Sequence, residues 1–281
     1  MTLGFDRERA LEVALAAARD AGALLLEHYG RLRPEQIASK SVERDLVTAA
    51  DVASERLVVE RLRAHFPDHA IEAEEETHDD ARANEGAGAA GEYRWFLDPL
   101  DGTVNFVHQL PAFAVSLALY RGGTPELGVV VAPRLGETFW AVRGGGAFLS
   151  EGAEAPPRRL AVSRTRDLGH AILATGFPYR RDGPANNLEN FSRFFLEIRG
   201  ERRFGSAALD LCYVAAGRFD GYWELLLQPH DVAAGALIVR EAGGRVTDAL
   251  GGEDWLRRGH IVASGPDLHE AIRSRVRVAP D

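Results

Sequence analysis

The sequence is almost without lysine. Of its 33 Lys and Arg residues, only Lys40 is a lysine. Cysteine is as scarce. Cys212 stands alone, so no intrachain disulfide can form, and a reducing cytoplasm is the expected setting. Basic charge is not in excess: the net charge is -9 and the pI about 5.5, which argues against a nucleic-acid partner. No apolar run reaches the roughly 20 residues of a membrane helix. The most apolar early stretch is broken by Arg19 and Asp20. The opening Asp6-Arg7-Glu8-Arg9 has the wrong character for a secretory signal, and no membrane partner is expected. No internal repeat is visible.

What is present suits one large domain or two tightly joined halves: 281 residues, 46% hydrophobic and 27% charged. Leu11, Leu15, Ala18, Gly22 and Leu25 fall at helical spacing, and Gly30 can stop that helix. Thr48 with Asp51 three residues on reads as a capping box, followed by Val52, Val59 and Leu62 as an apolar face. Residues 72–92, acidic and then rich in Gly and Ala, read as a loop. From residue 112 the period changes: "FAVSLALY", "ELGVVVA" and "TFWAV" are separated by turn residues and predict an antiparallel meander. The segment 151–159 marks a break in composition, dividing the chain into 1–155 and 156–281. Beyond it strands and helices alternate: strands in "HAILATG", "GRVTD" and "HIVAS", helices over 186–199, 206–217 and 231–242, and a C-terminal helix. The expected fold is a layered α+β and α/β sandwich, with an antiparallel sheet in the first half and a mixed arrangement in the second.

The chemistry concentrates in "WFLDPLDGTVNF" (95–106). Asp98 and Asp101 flank a proline that biases Asp98 toward extended backbone. Gly102 permits a tight turn and Thr103 can start a helix. Two carboxylates then converge, and the Leu100 carbonyl can turn to the same side. Such hard oxygens suit Mg²⁺. The N–H groups of Gly102 and Thr103 can face an anion such as phosphate. The same spacing alone also fits an Asx-type surface turn. More acid lies in Glu74-Glu75-Glu76, in Glu224 at the end of "FDGYWE", and in Asp231, which can cap an apolar helix and point into a cleft.

Together these segments resemble the inositol monophosphatase family of Mg²⁺-dependent, lithium-sensitive phosphatases, which share the fructose-1,6-bisphosphatase-like fold. "DPLDGTVNFVHQLP" resembles its D-P-[IL]-D-G-T-x-N-F-x-H-x-x-P motif, "HDVAAGALIVREAGG" its W-D-x-A-A-G-x-x-x-x-x-E-A-G-G, and "KSVERDLVTAAD" its K-S-x-x-D-L-V-T-x-x-D. "AEEET" stands where the family has G-E-E-S. "RRFGSAALDLCYVAAGRFDGYWE" stands where it lines the substrate pocket. The resemblance implies that Glu75, Asp98, the Leu100 carbonyl, Asp101 and Asp231 hold two or three Mg²⁺. It implies that Gly102 and Thr103 bind phosphate, and that Gly205, Ser206, Ala207 and Glu224 face the alcohol. Thr103, Asp51 and Glu75 would orient the attacking water. A homodimer and a small phosphorylated polyol, inositol-1-phosphate first, follow from the same resemblance. Histidinol-phosphatase, fructose-1,6-bisphosphatase and 3′-phosphonucleotide phosphatase are rivals, with Arg180 and Arg181 able to serve a second phosphate. A macromolecule-binding protein that keeps the fold is the rival from another class.

Three departures from the pattern bear on the site. Ala73 replaces the usual Gly and Glu76 adds a third acid, so Glu74 or Glu76 can take the place of Glu75. His230 replaces the usual Trp and suits a packing role better than a ligand among oxygens. Cys212 falls within an apolar helix, a core position. Lys40 begins the loop leading to Asp51. A compact ammonium fits among carboxylates and waters where a planar guanidinium would fill a metal's place. Chance in an Arg-rich composition is the plain alternative.

Overall fold

A computed structural model of the chain describes residues 6–75, 93–152, 155–179 and 187–278. Helix α1 (Arg7–His28) starts at Asp6, whose carboxylate accepts from the Arg9 N–H at 3.0 Å. Its buried face is Ala10, Ala14, Ala17, Ala18, Ala21, Gly22 and Leu25, while Leu11 and Leu15 are half-buried. Alanines on the inner face let the helix lie close to its neighbours.

A short hairpin, β1 (Ile37–Ser39) with β2 (Leu46–Thr48), presents Lys40 at its turn. Helix α2 (Ala49–His65) follows, with the expected capping box: the Thr48 N–H donates to Asp51 Oδ2 at 2.8 Å. Of the expected apolar face Val52, Val59 and Leu62, only Leu62 lies on the buried inner face. Asp51, Ser54, Glu55, Val58 and Leu62 are buried, and Val52 and Val59 are half-buried. The N-terminal half of that face is polar because it meets polar backbone and carboxylates rather than core.

Strand β3 (Ala70–Ala73) pairs in parallel with β4 (Tyr93–Asp101). The expected loop over 72–92 thus begins inside a strand, and residues 76–92 lie outside the described residues. The register of β4 shifts between Asp98 and Asp101, where Pro99 and Leu100 leave the ladder, and helix α3 (Thr103–Val107) follows directly. The expected meander is β5 (Ala114–Arg121), β6 (Thr124–Ala132) and β7 (Glu137–Val142), continued by β8 (Gly146–Glu151) and β9 (Arg158–Arg159). Among the described residues these strands form one seven-stranded sheet in sequence order, antiparallel except at β3 and β4.

The second half runs β10 (Ile172–Thr175), α4 (Leu188–Phe195), β11 (Gly200–Arg202), α5 (Ala207–Ala215), β12 (Gly221–Glu224), α6 (Pro229–Glu241), β13 (Arg245–Thr247), α7 (Trp255–Arg258), β14 (Ile261–Ser264) and α8 (Pro266–Arg273). The described sheet here has the order β11-β10-β12-β14-β13, parallel on the β11 side and antiparallel on the other. The helix expected over 186–199 ends at Phe195. Arg199 N–H instead donates to the Ala171 carbonyl at 3.0 Å as the chain enters β11.

Three buried clusters define the layers. One, with Leu25, Val58, Leu62, Trp95 and Leu117, lies between α1, α2 and the larger sheet. The central one, with Phe96, Ala118, Val130, Leu211, Tyr222 and Ile238, holds α5 and α6 between the two sheets. The third, with Phe194, Trp223, Leu268 and Ile272, covers the outer face of the smaller sheet. The result is a helix–sheet–helix–sheet–helix stack, the layered sandwich that the sequence implied. Both faces of the larger sheet are covered, so β5 and β6 read as nearly continuous apolar runs. The small residues at the start of α6 have a packing reason: a Cβ on Gly235 would meet Leu211 Cβ of α5 at 2.6 Å.

Candidate active site

The ends of β3, β4 and β12, the hairpin turn, and the starts of α5 and α6 open on one cleft of about 610 Å³. Its walls include Lys40, Glu74, Asp101, Ser206, Glu224 and Asp231. Residues far apart in sequence meet there because the central layer is sandwiched between both sheets.

Gly102 takes φ of +95°, and a Cβ there would lie 2.9 Å from the Ala112 carbonyl oxygen. Only glycine suits this turn. It allows Asp98 and Asp101 to end the strand on the cleft side. Asp98 Oδ1 accepts from the Leu100 N–H at 3.0 Å, so the Asx-type turn exists within the site rather than in place of it. Asp101 Oδ2 accepts from Ser206 Oγ at 2.6 Å and from the Ala208 N–H at 2.7 Å, both at the start of α5. Asp231 Oδ2 caps α6 by accepting from the Gln228 N–H at 2.6 Å, and His230 Nε2 stands 3.7 Å from its other oxygen.

Burial pushes Asp98 well above the usual carboxylate range, reinforced by Glu74, Asp101 and Asp231. Burial and then Asp231 push Asp101 up to about 7. Asp231 is raised by burial against the pull of His230. Glu74 goes the other way. Burial opposes its charge, but His230 and Lys40 outweigh that and hold it below the ordinary value.

The two glutamates after β3 part company. Glu74 lies within hydrogen-bond reach of Asp98 and faces the cleft. Glu75 is raised to about 7 by burial and by Glu74, and its other charged neighbours are Lys40 and Asp51. Lys40 Nζ joins them, 2.6 Å from Glu74 Oε1 and hydrogen-bonded to Glu75 Oε1. Glu76 lies outside the described residues, as do Arg180 and Arg181. On the side of Asp51, Thr103 Oγ1 donates to Asp51 Oδ1 at 2.9 Å. Burial lifts Asp51 to about 6. On the opposite wall, Tyr222 OH donates to Glu224 Oε2 at 2.6 Å, and burial raises Glu224 to about 7. Gly205, Ser206 and Ala207 line the cleft between Asp101 and Glu224. Cys212 is fully buried in α5, as expected for a core residue.

Sequence reasoning passed over Ser54, Glu55, Tyr222 and Arg203. Ser54 and Glu55 carry a weak signal, since they share a helix face with Asp51. Tyr222 shares a strand face with Glu224. Arg203 lines the cleft two residues before Gly205.

A model of the inositol monophosphatase family matches residues 6–280. The chain belongs to the inositol monophosphatase family. It is 43% identical over 271 residues, 95% of each chain, to the Nus factor SuhB of Pseudomonas aeruginosa. Among solved structures it resembles the extragenic suppressor protein suhB of Bartonella henselae, with a TM-score of 0.85 and 38% identity over 97% of this chain and 100% of that one. It also resembles the inositol monophosphatase of Anabaena sp. PCC 7120, with a TM-score of 0.80 and 39% identity over 95% of each. The family is one of phosphatases, generally Mg²⁺-dependent. Among these names a Nus factor stands beside an inositol monophosphatase, so family membership does not fix one substrate, and the expected absence of a nucleic-acid partner draws no support from them. No described helix is long and apolar enough to cross a membrane.

Proposed function

We propose that the chain hydrolyses a small phosphate monoester of a polyol with Mg²⁺, myo-inositol-1-phosphate being the first candidate. The supporting observation is the gathering of Glu74, Asp101 and Asp231 at one cleft, with Asp98 buried against them and Glu224 on the opposite wall.

The donor set fits the metal by its chemistry. It is all hard oxygen, and mutual repulsion among buried carboxyls is what a divalent cation relieves. The cage is not pre-assembled: no three His, Cys, Asp or Glu among the described residues already surround one point. Several of these oxygens accept from protein donors instead. Glu74, Asp98, the Leu100 carbonyl, Asp101 and Asp231 would hold Mg²⁺. Glu75, the ligand expected from sequence, is assigned instead to the water-orienting side with Asp51 and Thr103. Bound Mg²⁺ supplies Lewis acidity and lowers the pKa of a water.

The chain's own groups do the rest. Asp51 accepts a hydrogen bond from the Thr103 hydroxyl, which leaves the Thr103 oxygen able to accept one from the attacking water. The start of α3 at Gly102 and Thr103 offers N–H groups to the phosphoryl oxygens. Glu224, fixed by Tyr222, accepts from a hydroxyl of the departing polyol.

Phosphate release with Mg²⁺ should be compared for inositol-1-phosphate, histidinol phosphate, fructose-1,6-bisphosphate and 3′-phosphoadenosine 5′-phosphate. The highest kcat/KM is expected for inositol-1-phosphate, with none of the activity left in EDTA. Turnover of none of the four would overturn the reading. The Nus factor name of relatives at 43% identity favours a second role, binding a macromolecular partner through the same fold. That role would survive Asp101→Asn.

A further inference from the structure

The inner face of α2 makes three polar contacts in two turns, each to a different segment of the site. Asp51 Oδ1 accepts from Thr103 Oγ1 at 2.9 Å. Three residues on, Ser54 Oγ donates to the Pro99 carbonyl at 2.8 Å. One residue further, Glu55 Oε2 accepts from the Glu75 N–H at 2.8 Å. Asp51, Ser54 and Glu55 are all fully buried. A helix that serves only as packing would place aliphatic side chains here, as α2 does one and two turns later with Val58 and Leu62. Buried polar groups are retained where their hydrogen bonds are made, and each of these bonds ends on backbone or hydroxyl beside an acidic residue of the cleft.

We propose that Ser54 and Glu55 are positioning residues: from one rigid helix face they set the register of the two backbone segments that carry Glu74, Glu75, Asp98 and Asp101. Glu55 grips the backbone of Glu75. That grip fixes which way the chain turns at the end of β3, so that Glu74 faces the cleft and Glu75 faces Lys40 and Asp51. Ser54 holds the Pro99 carbonyl on the α2 side. The peptide that follows then leaves the Leu100 carbonyl beside Thr103, whose Oγ1 lies 3.1 Å from it. A slip of one residue at either point would exchange neighbouring side chains between the two sides of the chain. The inference rests on the metal reading of the cleft, since its consequence is metal affinity.

The variants are Glu55→Gln, which keeps a carbonyl acceptor, Glu55→Leu, which keeps bulk and leaves the Glu75 N–H without that acceptor, and Ser54→Ala. The readout is the melting temperature of metal-free protein and its rise across a Mg²⁺ titration, which separates fold stability from metal affinity. Loss of groups that orient ligands typically costs about 10–100-fold in metal affinity. Glu55→Leu is expected to shift the Mg²⁺ midpoint by about tenfold or more. Glu55→Gln should stay close to wild type, and Ser54→Ala should fall between the two. If Glu55→Leu does not fold, the decision passes to Ser54→Ala, whose deletion of one hydroxyl is mild. A Ser54→Ala midpoint equal to wild type overturns the role of Ser54. An equal midpoint in Glu55→Leu, or equal damage in Glu55→Gln and Glu55→Leu, overturns that of Glu55. Wild-type protein whose melting does not respond to Mg²⁺ would overturn the metal reading and this inference with it. A normal wild-type response, with variant midpoints equal to that of wild type, removes the positioning role alone.

Discussion

The ammonium of Lys40 lies 2.6 Å from Glu74 Oε1, and the same nitrogen is hydrogen-bonded to Glu75. The only lysine in the chain thus bridges the two glutamates that divide the site between them. Both carboxylates pull its pKa upward against the effect of burial, so it stays charged.

Lys40→Arg keeps that charge and changes its shape. A guanidinium would take Glu74 and Glu75 in a planar fork and compete with a cation for them. The expected result is a Mg²⁺ requirement raised about tenfold and a lower kcat, with fold stability changed by no more than about 0.5 kcal/mol. Lys40→Ala should also lower activity. A Lys40→Arg enzyme with the wild-type Mg²⁺ titration and kcat would make the single lysine an accident of composition.

Glu74→Gln and Glu75→Gln should fail differently. Glu74 belongs with Asp98, so its loss should weaken Mg²⁺ dependence first. Glu75 belongs with Lys40 and Asp51, so its loss should lower kcat with a smaller change in the metal titration. Glu76→Gln serves as the reference. Metal dependence lost in Glu75→Gln but kept in Glu74→Gln would reverse the assignment.

What was legible in the sequence was what is local. The Thr48–Asp51 cap spans three residues, and the meander of β5 to β7 declares itself by strand runs between turns. The inner face of α1 is legible only in part: Ala18, Gly22 and Leu25 are buried as their spacing predicts, but most of the other core contacts are alanines, which carry little hydrophobic signal beside Leu11 and Leu15. The face of α2 was misread for the opposite reason. Ser54 and Glu55 look like solvent residues until Pro99 and Glu75 are folded against them. The choice between Glu74 and Glu75 was beyond local reading, since it depends on Glu55 and Lys40, 20 and 35 positions from Glu75. Family motifs located the acidic residues but not the way each one faces.

Asp101→Asn and Asp231→Asn should each remove activity by at least about 100-fold, the top of the range for groups that only orient ligands. The metal-free fold should survive. Asp101 is raised by burial and by Asp231, so a neutral amide relieves repulsion in the absence of a cation, although the Ser206 and Ala208 donors lose one good acceptor. Melting of the metal-free variant near or above wild type at pH 8 is the expected sign. Wild-type kcat in either variant would show that the site lies elsewhere.

His269 sets a pH dependence away from the cleft. It is fully buried, with its ring nitrogens 3.0 Å from Ser264 Oγ and 2.9 Å from Thr247 Oγ1. Burial, then Arg245, lowers its pKa to about 4 from an ordinary 6.5. The neutral ring is the folded form. Its contribution is intact above about 6.5 and is lost as the pH falls toward 4, because the unfolded chain then binds the proton more readily. Melting temperature should therefore drop between pH 6.5 and 4. His269→Gln should be less stable at pH 7.5 yet show a shallower drop over that window. A variant slope as steep as wild type would assign the acid sensitivity to other groups.

Gly176 supplies a way to move Glu224 without touching the metal side. A Cβ on Gly176 would fall 2.0 Å from Glu224 Oε2 and 2.2 Å from its Oε1. The backbone there cannot easily give way, since Asn187 Nδ2 holds the Gly176 carbonyl at 2.7 Å. The carboxylate must therefore swing off, breaking the hydrogen bond from Tyr222. If Glu224 accepts from a polyol hydroxyl, Gly176→Ala should raise KM by about tenfold, the worth of one hydrogen bond to a charged group. The Mg²⁺ titration should stay as in wild type, because Asp98, Asp101 and Asp231 hang on other elements. Tyr222→Phe, which frees Glu224 without displacing it, should shift KM less. A change in KM for a polyol phosphate with none for a phosphate ester lacking hydroxyls would tie the effect to the alcohol side. Equal changes for both esters, or an altered metal requirement, would remove Glu224 from substrate recognition.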